Sequence, residues 1–190
     1  MYSISDEEYQ HKYQATFNTV FSFTTQFQEF WFQPPLTHRL FIYPQIFSLN
    51  SSQLSTLAKA ASIHAETEFI LSITEIYGSE ETKHWLISLN DFQAYHSVRS
   101  HKMLESVIFS TTGNWGIRFT QDFYAIVAGS ELFVNSLVQY WPTDIKNDIS
   151  QFLTDIKKES HINVVWLKAF LEHLYGINNA QQFLLEWGFV

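Results

Sequence analysis

One stretch, Val107 to Pro142, constrains the fold more than any other. In it strand alternation, turn chemistry and a helix start follow one another without a gap. Val107 to Thr111 is a short apolar run, and Thr112-Gly113-Asn114 supplies residues able to reach positive φ, so a reversal is expected there. From Trp115 the side chains alternate: Trp115, Ile117 and Phe119 on one face, Gly116, Arg118 and Thr120 on the other, which is the period of a strand. Gln121-Asp122 is placed for a tight turn, and Phe123 to Ala128 is a run suited to a strand buried on both faces. Gly129-Ser130 ends it. Ser130 is read as the cap of a helix from Glu131 to Trp141, with Glu131 at its positive end and Pro142 as its stop. The expectation is a three-stranded meander with a helix packed on it.

The rest of the chain supplies more of both element types. Ser5 with Glu8 matches a capping box, and Tyr9, Tyr13, Phe17, Val20, Phe21, Phe27 and Trp31 recur near helical spacing. This predicts a long aromatic N-terminal helix, whose stripe either packs on the sheet or docks on a second subunit. Leu40 to Phe47 reads as a strand interrupted by Pro44, and Asn50-Ser51-Ser52 as the start of a helix through Leu54, Leu57, Ala58 and Ala61. Thr67 to Ile76 and Lys83 to Leu89 alternate well and suit a hairpin around Gly78. Asn90 to Met103 is open between a short helix and a loop. Beyond Pro142, the spacing of Ile145, Ile149, Phe152, Leu153 and Ile156 predicts one helix. Ile162 to Tyr175 predicts a second, closed by Gly176, and a last short helix ends at Gly188.

Composition narrows the class. A chain of 190 residues with 46% hydrophobic content can bury one real core, and no repeat or linker divides it, so residues 1–190 are read as a single domain. Its 18 Phe, 9 Tyr and 6 Trp are a surplus of flat rings, for the core or for contact. The formal charge is −8, and the longest basic run is Lys157-Lys158, so no nucleic-acid partner is expected; the acidity reads first as a device of solubility and, alternatively, suits a basic protein partner. Without cysteine there is no disulfide and no thiolate site. An acidic N-terminus and no apolar run near ~20 residues lead to the expectation of a cytoplasmic protein with no membrane contact.

Chemical motifs are sparse. The histidines, eight in number, show no HExxH or HxH spacing, so no metal ligand is assigned. No GxSxG elbow and no phosphate-cradling glycine loop is present, and Glu66 with Glu68 and Glu80 with Glu81 read as solvated acidic edges. No catalytic residue and no cofactor follows. Two places stand out as candidate binding residues. On one strand Trp115 and, on the opposite face over a floor left open by Gly116, Arg118 are candidates: the arginine suits an anion or a partner's carboxylate, and the plainer reading is an arginine facing solvent. His96, Arg99 and His101, with Lys102, form the densest cationic cluster.

The run GNWGIRFTQDFYAIVAGSELFVNSL, residues 113 to 137, resembles small bacterial α+β proteins of the immunity type, which neutralise secreted or contact-delivered toxins. A turn, Trp-Gly, a strand, an acidic turn, a strand ending in glycine and a helix carry the likeness. It implies a stoichiometric protein that covers a basic toxin surface. The full expectation is an α+β fold: a central antiparallel sheet of about five strands, the aromatic helix before it and a C-terminal helical cluster after it. Non-catalytic protein binding is the leading role. The alternatives are a small-ligand or hydrolytic pocket using Arg118 and the His96/His101 segment, and a structural homodimer formed through Tyr9 to Trp31 or Ile162 to Tyr175.

Overall fold

A computed structural model describes residues 1–27, 29–43, 45, 48–76, 83–98, 103–142, 148–158 and 163–189. The elements follow in order: β1 (Tyr2–Ile4), α1 (Asp6–Lys12), α2 (Gln14–Val20), β2 (Phe21–Thr24), β3 (Glu29–Phe32), β4 (His38–Ile42), α3 (Ser51–Ala61), β5 (Glu68–Ile76), β6 (His84–Ser88), α4 (Phe92–Ser97), β7 (Met103–Ser110), β8 (Trp115–Phe119), β9 (Ala125–Gly129), α5 (Glu131–Tyr140), α6 (Asp148–Ile156), α7 (Val164–Tyr175) and α8 (Ile177–Trp187).

The main sheet runs β1-β6-β5-β7-β8-β9-β4, with every neighbouring pair antiparallel. It therefore has seven strands rather than about five. The expected meander is its centre, with Ile108 opposite Ile117 and Ile117 opposite Val127. The N-terminal tripeptide adds one edge, where Ser3 pairs with Trp85, and β4 adds the other, where Leu40 pairs with Val127.

Both faces of the sheet are covered, and period-two alternation sorts the side chains between them. Trp115, Ile117, Phe119, Phe69, Leu71 and Ile87 meet α3, α4 and α5 on the first face. Ile70, Val107, Phe109, Ile126 and Phe41 meet the N-terminal helices, the β2–β3 hairpin and α6 to α8 on the second. β8 and β9 are buried at every position, as strands sandwiched between layers must be.

The N-terminal aromatics depart most from expectation. Tyr13, at φ −121° and ψ −18°, separates two short helices, and at Phe21 the chain becomes extended (φ −124°, ψ 148°). Phe27 and Trp31 therefore belong to a hairpin, in which Phe21 pairs with Phe32 and Phe23 with Phe30. Most of the stripe packs inward: Tyr9, Phe17, Val20, Phe21 and Phe32 are buried. Gly116 makes this possible, because a Cβ there would come within 2.6 Å of Val20 and 2.9 Å of Phe21. The floor expected to lie open beside Arg118 is thus filled by α2 and the hairpin.

Local signals elsewhere act as read. Asn50 and Gln53 form a reciprocal capping box on α3, Ser5 caps α1, Ser130 caps α5, and Gly176 closes α7 at φ 80°. Asp91 caps the short helix α4 within the ambiguous segment. Ile145, the first position of the helix expected after Pro142, and the loop around Gly78 lie outside the described residues.

Candidate functional site

Arg118 projects from β8 into the second layer, where its side chain retains 3% exposure. A guanidinium so placed must find acceptors, since an unpaired buried charge costs several kcal/mol. Its Nη1 donates to Glu29 Oε2 at 2.8 Å, and its Nη2 to the two carboxylate oxygens of Glu105 at 3.3 and 3.4 Å. Glu29 accepts twice more, from Trp166 Nε1 at 2.6 Å and Trp31 Nε1 at 3.1 Å. One carboxylate therefore ties the hairpin to the sheet and to α7. Burial pushes the Glu105 carboxyl up, against the pull of Arg118. Burial alone would lower Arg118, but the fields of Tyr124, Glu105 and Glu29 outweigh it and raise it.

The other expected binding residues are not assembled around this arginine. Trp115 is fully buried on the opposite face, stacked on Phe133 at 5.2 Å, with its Nε1 donating to Glu66 at 2.7 Å. Glu66 is accordingly an internal acceptor for Trp115 and for Thr112, not a solvated edge. His96 lies on α4, on the first-face side, 3.4 Å from Ser51 Oγ. Arg99 and His101 lie outside the described residues.

Beyond Glu29 a cleft of about 490 Å³ opens between the β8–β9 turn and helices α6 and α7. Its carboxylates are Glu29, Asp122 and Asp155, and its rings include Tyr43, Phe123, Tyr124, Phe152 and Trp166. Among the described residues no lysine, arginine or histidine lines it. Hydrogen bonds from Lys158, Gln151 and Tyr43 hold the Asp155 carboxyl down at about 2, so it stays charged throughout the physiological range. Burial pushes the Tyr124 phenol far up, so that ring is neutral. With Glu105 behind Arg118 counted, four carboxylates stand against two cations, Arg118 and Lys158, among the described residues. The cleft carries a negative field over aromatic walls.

The turn at the rim is strained. Phe123 sits at φ 59°, a region bulky L residues rarely adopt, and is 51% exposed. Two backbone hydrogen bonds hold it there, Gln45 N–H to Phe123 O at 2.6 Å and Thr120 N–H to Tyr124 O at 3.1 Å. Such strain persists where the surroundings over-determine it, and it clusters at binding surfaces.

The sequence reading found Asp122 only as a turn residue and placed Glu29 in a helix. A usable signal was present in Gln121-Asp122-Phe123-Tyr124, an acidic turn that spends two aromatic residues where small ones serve better. Among the described residues, no three His, Asp or Glu side chains gather to hold a metal ion, and no helix is long and apolar enough to cross a membrane. Comparison with protein-family models, curated proteins and solved structures finds no match for this chain. The geometry must carry the functional argument.

Proposed function

We propose that this chain is a protein-binding module whose acidic, aromatic cleft receives a lysine or arginine side chain of a basic partner. The observation behind this is the lining itself: Glu29, Asp122 and Asp155 set among aromatic rings, with no basic side chain among the described residues that line the cleft. A guanidinium or ammonium in such a site gains charge-assisted hydrogen bonds to the carboxylates and attraction to the ring faces. Phe123, half exposed on a rigid turn, is the apolar contact beside the cleft, in the manner of an interface anchor. The formal charge of −8 favours encounter with a cationic protein. Stoichiometric neutralisation of a basic toxin, the role implied by the immunity-type resemblance, is the biological form we propose.

Affinity capture from native extract, with the natural sequence and with an Asp122→Lys variant as baits, tests the reading. Asp122 is exposed on a turn, and circular dichroism establishes that the charge-reversed variant is folded. One basic protein recovered near one-to-one by the natural sequence and lost by the variant is the expected result. Equal recovery by both baits overturns it. Recovery of a second copy alone, with doubled mass in solution, replaces it with self-association.

A further inference from the structure

A second cleft, of about 550 Å³, lies on the other side of the β2–β3 hairpin, between the hairpin, α1–α2 and strands β5–β6. At its base Ser72 of β5 and His84 of β6 are directly opposed in the strand register, and Ser72 Oγ stands 2.9 Å from His84 Nδ1. Asp6, in the first turn of α1, places Oδ1 3.8 Å from the ring's other nitrogen, Nε2. Tyr9, one turn further along, lies flat on the imidazole, with centroids 3.7 Å apart and planes within 8°. Three elements, α1, β5 and β6, thus fix the ring's position and plane, and the cleft is lined by all four of these residues.

The arrangement has a direction. A carboxylate on the Nε2 side favours the tautomer with the proton on Nε2, which leaves the Nδ1 lone pair to accept the Ser72 O–H. Burial lowers His84 to about 4, so near pH 7 the ring is neutral and its Nδ1 carries a lone pair facing the Ser72 hydroxyl. Lys83, on the same cleft, brings a positive charge close enough to be felt at His84. Nucleophile, base, orienting acid and a cation for a developing oxyanion therefore meet in one concave site, and such constellations are defined by their geometry and not by sequence order.

The geometry points to a serine acyl-transfer site, with Ser72 as nucleophile, His84 as general base through Nδ1 and Asp6 as the positioning residue. The substrate class is a carboxylic ester with an apolar acyl group, since Phe17, Phe21, Phe23 and Phe30 contribute to the wall. Ser72 Oγ bonds to the carbonyl carbon while its proton passes to His84 Nδ1. The bond to the alcohol oxygen breaks, and the alcohol leaves with that proton. Water then repeats the sequence on the acyl-serine, and the carboxylic acid is released.

A fluorophosphonate probe, read by intact mass and peptide mapping, and hydrolysis of p-nitrophenyl butyrate test this on the full chain. The expected result is one adduct on the peptide containing Ser72. Ser72→Ala abolishes both labelling and turnover, and His84→Gln slows both by about 100-fold or more. Circular dichroism establishes that each variant is folded. Asp6→Asn slows labelling and moves the acid limb of its pH profile to lower pH, because the carboxylate that raises His84 is gone; a purely structural Asp6 leaves that limb in place. Absence of an adduct on the natural sequence, or an adduct retained by folded Ser72→Ala, overturns the assignment.

Discussion

At Arg118 a single guanidinium neutralises two carboxylates, one from the hairpin and one from the neighbouring strand β7. Replacing it with methionine roughly keeps the volume but leaves Glu29 and Glu105, both largely buried, close together without their shared cation. The expected cost is about 3–5 kcal/mol, typical of a buried ion pair deprived of one partner. Urea unfolding measures it, and adding Glu105→Gln to Arg118→Met recovers part of the loss; a double variant no more stable than the single one contradicts the network. A smaller loss, about 1–3 kcal/mol, is expected for Glu66→Ala, which strands the buried Trp115 N–H. Alternation along β8 correctly put Arg118 opposite Trp115, Ile117 and Phe119. Its partners were invisible because Glu29 is 89 residues away, in a segment whose aromatic spacing imitates a helix.

That imitation belongs to the element scale. Tyr9, Tyr13 and Phe17 recur every four residues and do form helical turns, but Phe-Ser-Phe-Thr also alternates with period two. Short windows satisfy both periods, and the choice falls to tertiary contacts: Phe21 and Phe32 close over Gly116, which only a sheet face without a side chain permits. Capping signals fared better because each is satisfied within one helical turn. The β8–β9 turn offers a test at this scale. Phe123 holds a left-handed conformation that glycine adopts freely, at a cost of about 1–2 kcal/mol to an L residue. Phe123→Gly is therefore expected to raise the thermal midpoint or leave it unchanged, while weakening capture of the basic partner about tenfold or more, since an aromatic anchor is worth at least ~1.4 kcal/mol. Lost stability with unchanged binding would place the ring in the core rather than at the interface.

The whole molecule has a second layer that buries two imidazoles in their neutral form, and acid should find them. His173 Nε2 accepts the Phe32 N–H at 3.3 Å, a role a protonated ring cannot play. Burial, with Arg39 and Arg118 nearby, lowers this histidine to about 3, and burial lowers His84 to about 4. Both folded values lie below the ordinary ~6.5. The stability they confer is complete above ~6.5 and is lost as pH falls toward 4 and 3, because the unfolded chain takes up protons that the folded one refuses. Two such groups give a limiting slope of about 2.7 kcal/mol per pH unit. Asp155, held at about 2, keeps its contribution above the ordinary carboxylate value of about 4 and loses it as pH falls from there toward 2. Glu105, raised by burial, works in the opposite direction, because its contribution is lost as pH rises through its folded value. The expected outcome is a urea midpoint that falls steeply from pH 6.5 to 4.5. His173→Gln keeps an acceptor for Phe32 but cannot titrate, so its slope over the same interval should be about half that of the natural chain. An unchanged slope in that variant would move the acid sensitivity to other groups and leave His173 as a packing residue alone.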